Sequence, residues 1–202
     1  MKKMLGCLTA VLLLFSGCNS MPFRDEIRLT PLREDQQQIV KMISGQDKVF
    51  LFDYHTKKSY RYAKIWADIY QDGQLVEPGA AEIELPVETA KGRKGQFSIS
   101  IRTTPSYQWM FSISDSDSGI SSILIPVEIY SEKSAYIEGS LNQSEEIVAG
   151  KEIFLCGRMF SDGNKGLRFY GGKQYLENPE LLKEYSYAHV IKCCFYDEKP
   201  DV

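Results

Sequence analysis

Histidine is scarce: only His55 and His189 occur in 202 residues, with no His-Glu-x-x-His and no clustered His/Cys set. The commonest catalytic metal patterns are therefore missing. There is no Cys-x-x-Cys pair, no Gly-x-Ser-x-Gly elbow, no phosphate loop and no dinucleotide fingerprint. No cofactor, metal or catalytic residue is expected on these grounds. Basic residues are not in excess either: 24 Lys and Arg face 27 Asp and Glu, for a formal charge of −3. A general nucleic-acid binder carries a basic surface, so that class is set aside. Internal repeats and low-complexity tracts are absent. With 43% hydrophobic and 25% charged residues, the chain has the composition of a folded protein.

The longest apolar stretch, Met4 to Phe15, has twelve residues, whereas a membrane-spanning helix needs roughly twenty. It follows Met1-Lys2-Lys3 and precedes Ser16-Gly17-Cys18-Asn19. A basic end, a short apolar run and small residues before a cut site are the parts of a secretory signal. Removing residues 1–17 takes away Lys2 and Lys3 and no acid, leaving 22 basic and 27 acidic residues and a charge of −5.

Phe15-Ser16-Gly17-Cys18 resembles the lipobox of bacterial lipoproteins, with Phe15 standing where Leu is usual. The resemblance covers about twenty residues. It implies cleavage before Cys18 and acylation of that cysteine, so that the protein is anchored to a cell membrane or an outer membrane on the exported side. Asn19, by analogy with enteric bacteria, leans towards the outer membrane. Residues 18–31 then read as a tether containing Pro22 and no sustained periodicity, and 32–202 as one β-rich domain.

Apolar residues at Leu32, Ile39, Val40 and Ile43 suit one amphipathic helix over 32–44. Asn178-Pro179-Glu180 opens a second short helix through Glu184, with an N-cap residue and proline in the first turn. Nearly all else reads as strand: 48–55, 62–71, 81–85, 96–102, 107–114, 121–130, 134–140, 151–160, 167–170 and 185–196. Turn residues such as Asp72-Gly73 and Asp162-Gly163-Asn164 separate many of them. Short strands at this spacing predict an antiparallel β-sandwich, immunoglobulin-like or carbohydrate-module-like, with a partly open β-barrel as the alternative. Phe97, Ile99 and Ile101 alternate with polar residues, as do Tyr107, Trp109, Phe111 and Ile113 with Gln108, Met110 and Ser112, so those sets face a core. Pro126 within 121–130 marks an edge or a bulge.

One strand has an unusual second face. Ala63, Ile65, Ala67 and Ile69 suit a core, and the opposite face carries Tyr62, Lys64, Trp66, Asp68 and Tyr70. Burying Lys64 and Asp68 unpaired would cost several kcal/mol per ion. That face is therefore expected to be solvated, leaving three aromatics as a candidate ligand platform about 13 Å from i to i+4. An envelope protein partner or a glycan would suit it. The opposing expectation is that a helix or long loop covers the face.

Three cysteines lie in the domain, Cys156, Cys193 and Cys194, with Cys7 in the signal and Cys18 at the lipid site. Adjacent strand residues point to opposite faces, so Cys193 and Cys194 should not pair with each other. Cys156 is left either bonded to one of them or, with them, a small buried hydrophobe. Asp115-Ser116-Asp117-Ser118-Gly119 fails the EF-hand pattern, because glycine falls at position five and Pro126 at twelve. Lys91-Gly92-Arg93-Lys94-Gly95 reads as a solvated basic turn. The sequence thus describes a non-catalytic interaction or assembly module of the cell envelope, with a carbohydrate-binding module as the alternative and a hydrolase less favoured.

Overall fold

Strict alternation in Gln108–Asp115 puts Trp109, Phe111 and Ile113 on one side, and all three are buried. The same period places Phe97, Ile99 and Ile101 beside them on the neighbouring strand. The computed structural model describes residues 24–45, 47–86, 93–102, 108–115, 119–126, 135–163 and 166–198. The signal 1–17, the lipobox with Cys18, Cys7 and Tyr107 lie outside the described residues.

The strands are Glu26–Leu29 (β1), Lys48–Thr56 (β2), Tyr62–Gln71 (β3), Gln74–Pro86 (β4), Arg93–Arg102 (β5) and Gln108–Asp115 (β6). Gly119–Pro126 (β7), Ala135–Ser140 (β8), Glu145–Glu146 (β9), Ile153–Ser161 (β10) and Tyr187–Tyr196 (β11) complete them. Helices Glu34–Ser44 (α1) and Gly172–Glu177 (α2) and a 3-10 turn at Pro179–Glu184 are the described helical elements. A six-stranded sheet runs β7-β6-β5-β2-β1-β9 and a five-stranded sheet β4-β3-β11-β10-β8. Every described pairing is antiparallel, and both sheets stay open, so the architecture is the sandwich and not the barrel.

The main core lies between the two sheets and draws side chains from both. Phe50, Phe52 and Tyr54 of β2 join the β5 and β6 sets, while β3 contributes Ala63, Ile65 and Ala67. Phe195 of β11 bridges the layers, its ring 5.3 Å from Tyr54, 5.5 Å from Tyr60 and 5.7 Å from Phe97 between centroids. A second core covers the outer side of the five-stranded sheet, where Tyr175, Leu182 and Tyr185 pack on Phe154, Met159, Ala188 and Val190. Two glycines let this cover approach: a Cβ at Gly139 would overlap the Phe169 ring, and one at Gly172 the Phe154 ring.

Four sequence expectations change. The tether ends early, because Glu26–Leu29 pairs with both β2 and β9 and Ile27 is fully buried. Asp25 fixes the entry, accepting the Lys57 amide at 2.5 Å and the Tyr60 hydroxyl at 3.1 Å. The stretch 167–170 is irregular chain in the covering segment, since its apolar side chains pack against the second core instead of joining a ladder. The strand read at 81–85 begins back at Gln74. Finally, α1 starts at Glu34 and buries none of its residues.

Candidate functional site

The β3 stripe lies on the outer face of the five-stranded sheet. In register, Trp66 stands opposite Glu82 of β4 and Lys192 of β11. Neighbouring strands are about 4.8 Å apart, so long charged side chains lay their stems along the indole. Lys64 Nζ sits 5.7 Å from the Trp66 ring centroid and Lys192 Nζ 5.8 Å, both within cation–π range. Lys64 pairs with Glu82 at 2.7 Å, and Lys192 with Asp68 at 2.6 Å and Glu152 at 2.9 Å. Asp68 also accepts the Gly79 amide at 3.0 Å. A bulge in β4 between the Ala67 and Ile69 partners aims that amide, with Gly79 at φ +61°.

The solvated platform expected from the sequence is therefore corrected. Trp66 is only 8% exposed and Asp68 5%, while Tyr62, Lys64 and Tyr70 are half-buried. Tyr70 leans on the second core, and burial raises its phenol above the ordinary range. The rule that charges are not buried unpaired holds, but the partners come from other strands. Burial alone would lower the Lys192 ammonium; hydrogen bonds to Asp68 and Glu152 outweigh it and leave the group above its usual value. The stripe is an ionic and aromatic layer in which Trp66 and Asp68 are buried and Tyr62, Lys64 and Tyr70 are partly covered.

Glu152 leads from this layer into a cleft of about 310 Å³. Leu141, Ile153 and Phe154 form its floor and are buried. One face of α2, Lys173, Leu176 and Glu177, forms a wall. Glu145, Glu146, Lys151 and Glu152 complete the rim. No local motif announces this site, because its lining comes from separate segments.

On the other sheet, α1 overhangs a groove of about 350 Å³ lined by Val40 and Ile43 of the helix and by Val49, Leu51 and Met110 of the sheet. Ser98 and Ser100 lie among them, and Asp47 and Arg102, paired at 3.4 Å, close one end. Ile39 is 55% exposed, and Met42 and Ile43 are each 83% exposed.

Of the histidines and described cysteines, His189 and the three thiols lie inside, whereas His55 is partly exposed. His189 is fully buried and accepts the Trp109 indole N–H at Nδ1, 3.2 Å away. Burial, assisted by the Arg158 charge, pushes it down to about 3. His55 is half-buried on β2 in the other sheet, and burial lowers it too. Cys156, Cys193 and Cys194 are free and buried, and burial raises all three thiols. Among the described residues, no group of three His, Cys, Asp or Glu could hold a metal ion.

His189 gives a pH prediction. In the unfolded chain the imidazole takes a proton near 6.5, but in the fold only near 3. Its contribution therefore falls as pH drops through that window, by up to about 1.4 kcal/mol per pH unit. His189→Gln keeps an acceptor for Trp109 and should lose this part of the slope. Urea titrations of both proteins at pH 7, 6, 5 and 4 measure it, and parallel curves would refute the assignment.

No helix among the described residues is long and apolar enough to cross a membrane. No curated protein and no solved structure matches this chain. The family model of the YgaN domain matches residues 26–194. That span begins on the first residue of β1 and ends within β11, so it takes in both sheets and the cover of the second core. The chain belongs to the YgaN domain family.

Proposed function

We propose that this protein is a cell-envelope lipoprotein, held to a cell membrane or outer membrane by acyl chains on Cys18, whose sandwich recognises a protein partner and performs no chemistry. The anchor rests on the lipobox resemblance. Two acyl chains hold a protein stably, at about 0.8 kcal/mol per buried CH₂. With β1 starting at Glu26, seven residues separate it from Cys18, eight Cα steps with a reach of about 27 Å at full stretch. The domain rides close to the headgroups.

The recognition reading is carried by α1. A helix that buries nothing while holding Ile39, Met42 and Ile43 in water beside an apolar groove is a costly surface for a free monomer. Its Asp47–Arg102 end supplies a polar rim around an uncharged centre. The partner suited to it is a protein with an apolar, uncharged contact surface. The buried, neutral His189 and the buried thiols support the non-catalytic part, because none is placed to meet a substrate.

The test is a crosslinking capture from host envelopes with the full chain, its Met42→Glu/Ile43→Glu variant and Cys18→Ser. Exposed substitutions of this kind stay within about 0.5 kcal/mol, so melting should be unchanged while a stoichiometric protein is lost from the capture. Cys18→Ser should leave the membrane fraction. Undiminished capture by the double variant would overturn the α1 surface, and membrane retention of Cys18→Ser would overturn the anchor.

A further inference from the structure

We infer that the cleft bounded by α2, β9 and the start of β10 is a second binding site, built for a primary ammonium carried on a short apolar stem. The inference is independent of the α1 surface, since the cleft shares no lining residue with the α1 groove. At about 310 Å³ the cleft is at the small end of the range for ligand pockets, and four apolar residues lie in it beneath a rim of six charged ones. Leu141, Ile153 and Phe154 below and Leu176 at the side offer an alkyl chain contact without asking for a hydrogen bond.

The rim chooses the charge. Glu145, Glu146, Glu152 and Glu177 supply four carboxylates from three parts of the chain, against Lys151 and Lys173. Lys173 is drawn to Glu177 at 3.6 Å, and Glu152 takes Lys192 from outside the lining at 2.9 Å. Even with Lys192 included, the carboxylates remain in excess. An apolar floor concentrates that field at the mouth. An ammonium on an alkyl stem satisfies both features, a carboxylate meets net repulsion, and a neutral chain gains only the floor.

The walls are held in place before any ligand arrives, which reduces the ordering that binding requires. β9 is paired to β1, Glu145 opposite Ile27 and Glu146 opposite Glu26. The adjoining turn is fixed by the Gly150 amide on the Phe195 carbonyl at 2.9 Å. On the far side, α2 is seated through the close approach of Gly172 to Phe154.

The experiment uses the full, nitrogen-15-labelled chain in nonionic detergent at 0.15 M salt. The probes are 1,5-diaminopentane and, at the same length, neutral 1,5-pentanediol and anionic glutarate. The diamine should shift the amides of Leu141, Ile153 and Leu176 saturably, and the diol at least about tenfold more weakly, a difference near 1.4 kcal/mol. Glu145→Gln/Glu146→Gln should weaken the diamine by at least about tenfold, and Leu176→Trp should block it with the rest of the spectrum retained. Glu34→Gln/Asp35→Gln on α1 removes two acids elsewhere and should change nothing. Equal shifts with the diol, stronger shifts with glutarate, no saturation, or indifference to the Glu145/Glu146 change would each overturn the assignment.

Discussion

Trp66→Ala is expected to lower stability by about 3–5 kcal/mol, the usual cost of emptying a buried aromatic site. Trp66 is 8% exposed, and its ring is the surface along which Lys64 and Lys192 extend. Removing it opens a void under two ammonium groups, each of which loses its cation–π contact. Those lysines are held to Glu82, Asp68 and Glu152, so the surrounding layer has little freedom to collapse into the gap. Urea unfolding of the two proteins should show a lower midpoint with the slope retained. Trp66→Phe, which keeps an aromatic face but less area, should fall between them. An unchanged midpoint for Trp66→Ala would mean that the indole is a surface group after all and would restore the aromatic platform. The experiment thus separates a structural aromatic from a ligand-stacking one.

Local alternation is why the sandwich could be read from the chain. Phe97, Ile99 and Ile101 and the set Trp109, Phe111 and Ile113 each carry their own period, and that period alone fixes the inward face. β1 has no such signature: Ile27 is its single fully buried side chain, and charges flank it. Its place is set by β2 and β9, which a local window cannot see. The same limit explains the β3 stripe. The cost of burying Lys64 and Asp68 was legible, but Lys192, Glu152 and Glu82 reach them through strand order and through a β4 bulge at Gly79. α1 was legible as a helix from Ile39, Val40 and Ile43, but spacing cannot say whether an apolar face has a partner within the fold. The 166–186 cover and the cleft depend on glycine contacts at Gly139 and Gly172, which carry no sequence period.

Lys192→Met should cost about 3–5 kcal/mol, because it leaves Asp68 buried beside Trp66 without its counter-charge. The Lys192 and Asp68 side chains are 9% and 7% exposed, so water cannot replace the lost partner. Adding Asp68→Leu removes the stranded carboxylate, and the double variant should be more stable than Lys192→Met alone. It does not reach the native value in full, since the Gly79 amide loses its acceptor. A double-mutant cycle in urea should therefore return a coupling of about 2 kcal/mol or more for the pair. The sign of the pH dependence follows from the same geometry. Lys192 is raised above its ordinary 10.5 in the fold, so its contribution is complete below that value and is lost as pH rises through the raised one. On the alkaline side the native protein should therefore lose stability relative to the double variant. Additive single changes would show instead that the pair contributes nothing of its own, and that the outer layer of the five-stranded sheet is held by Trp66 and its hydrophobic contacts alone.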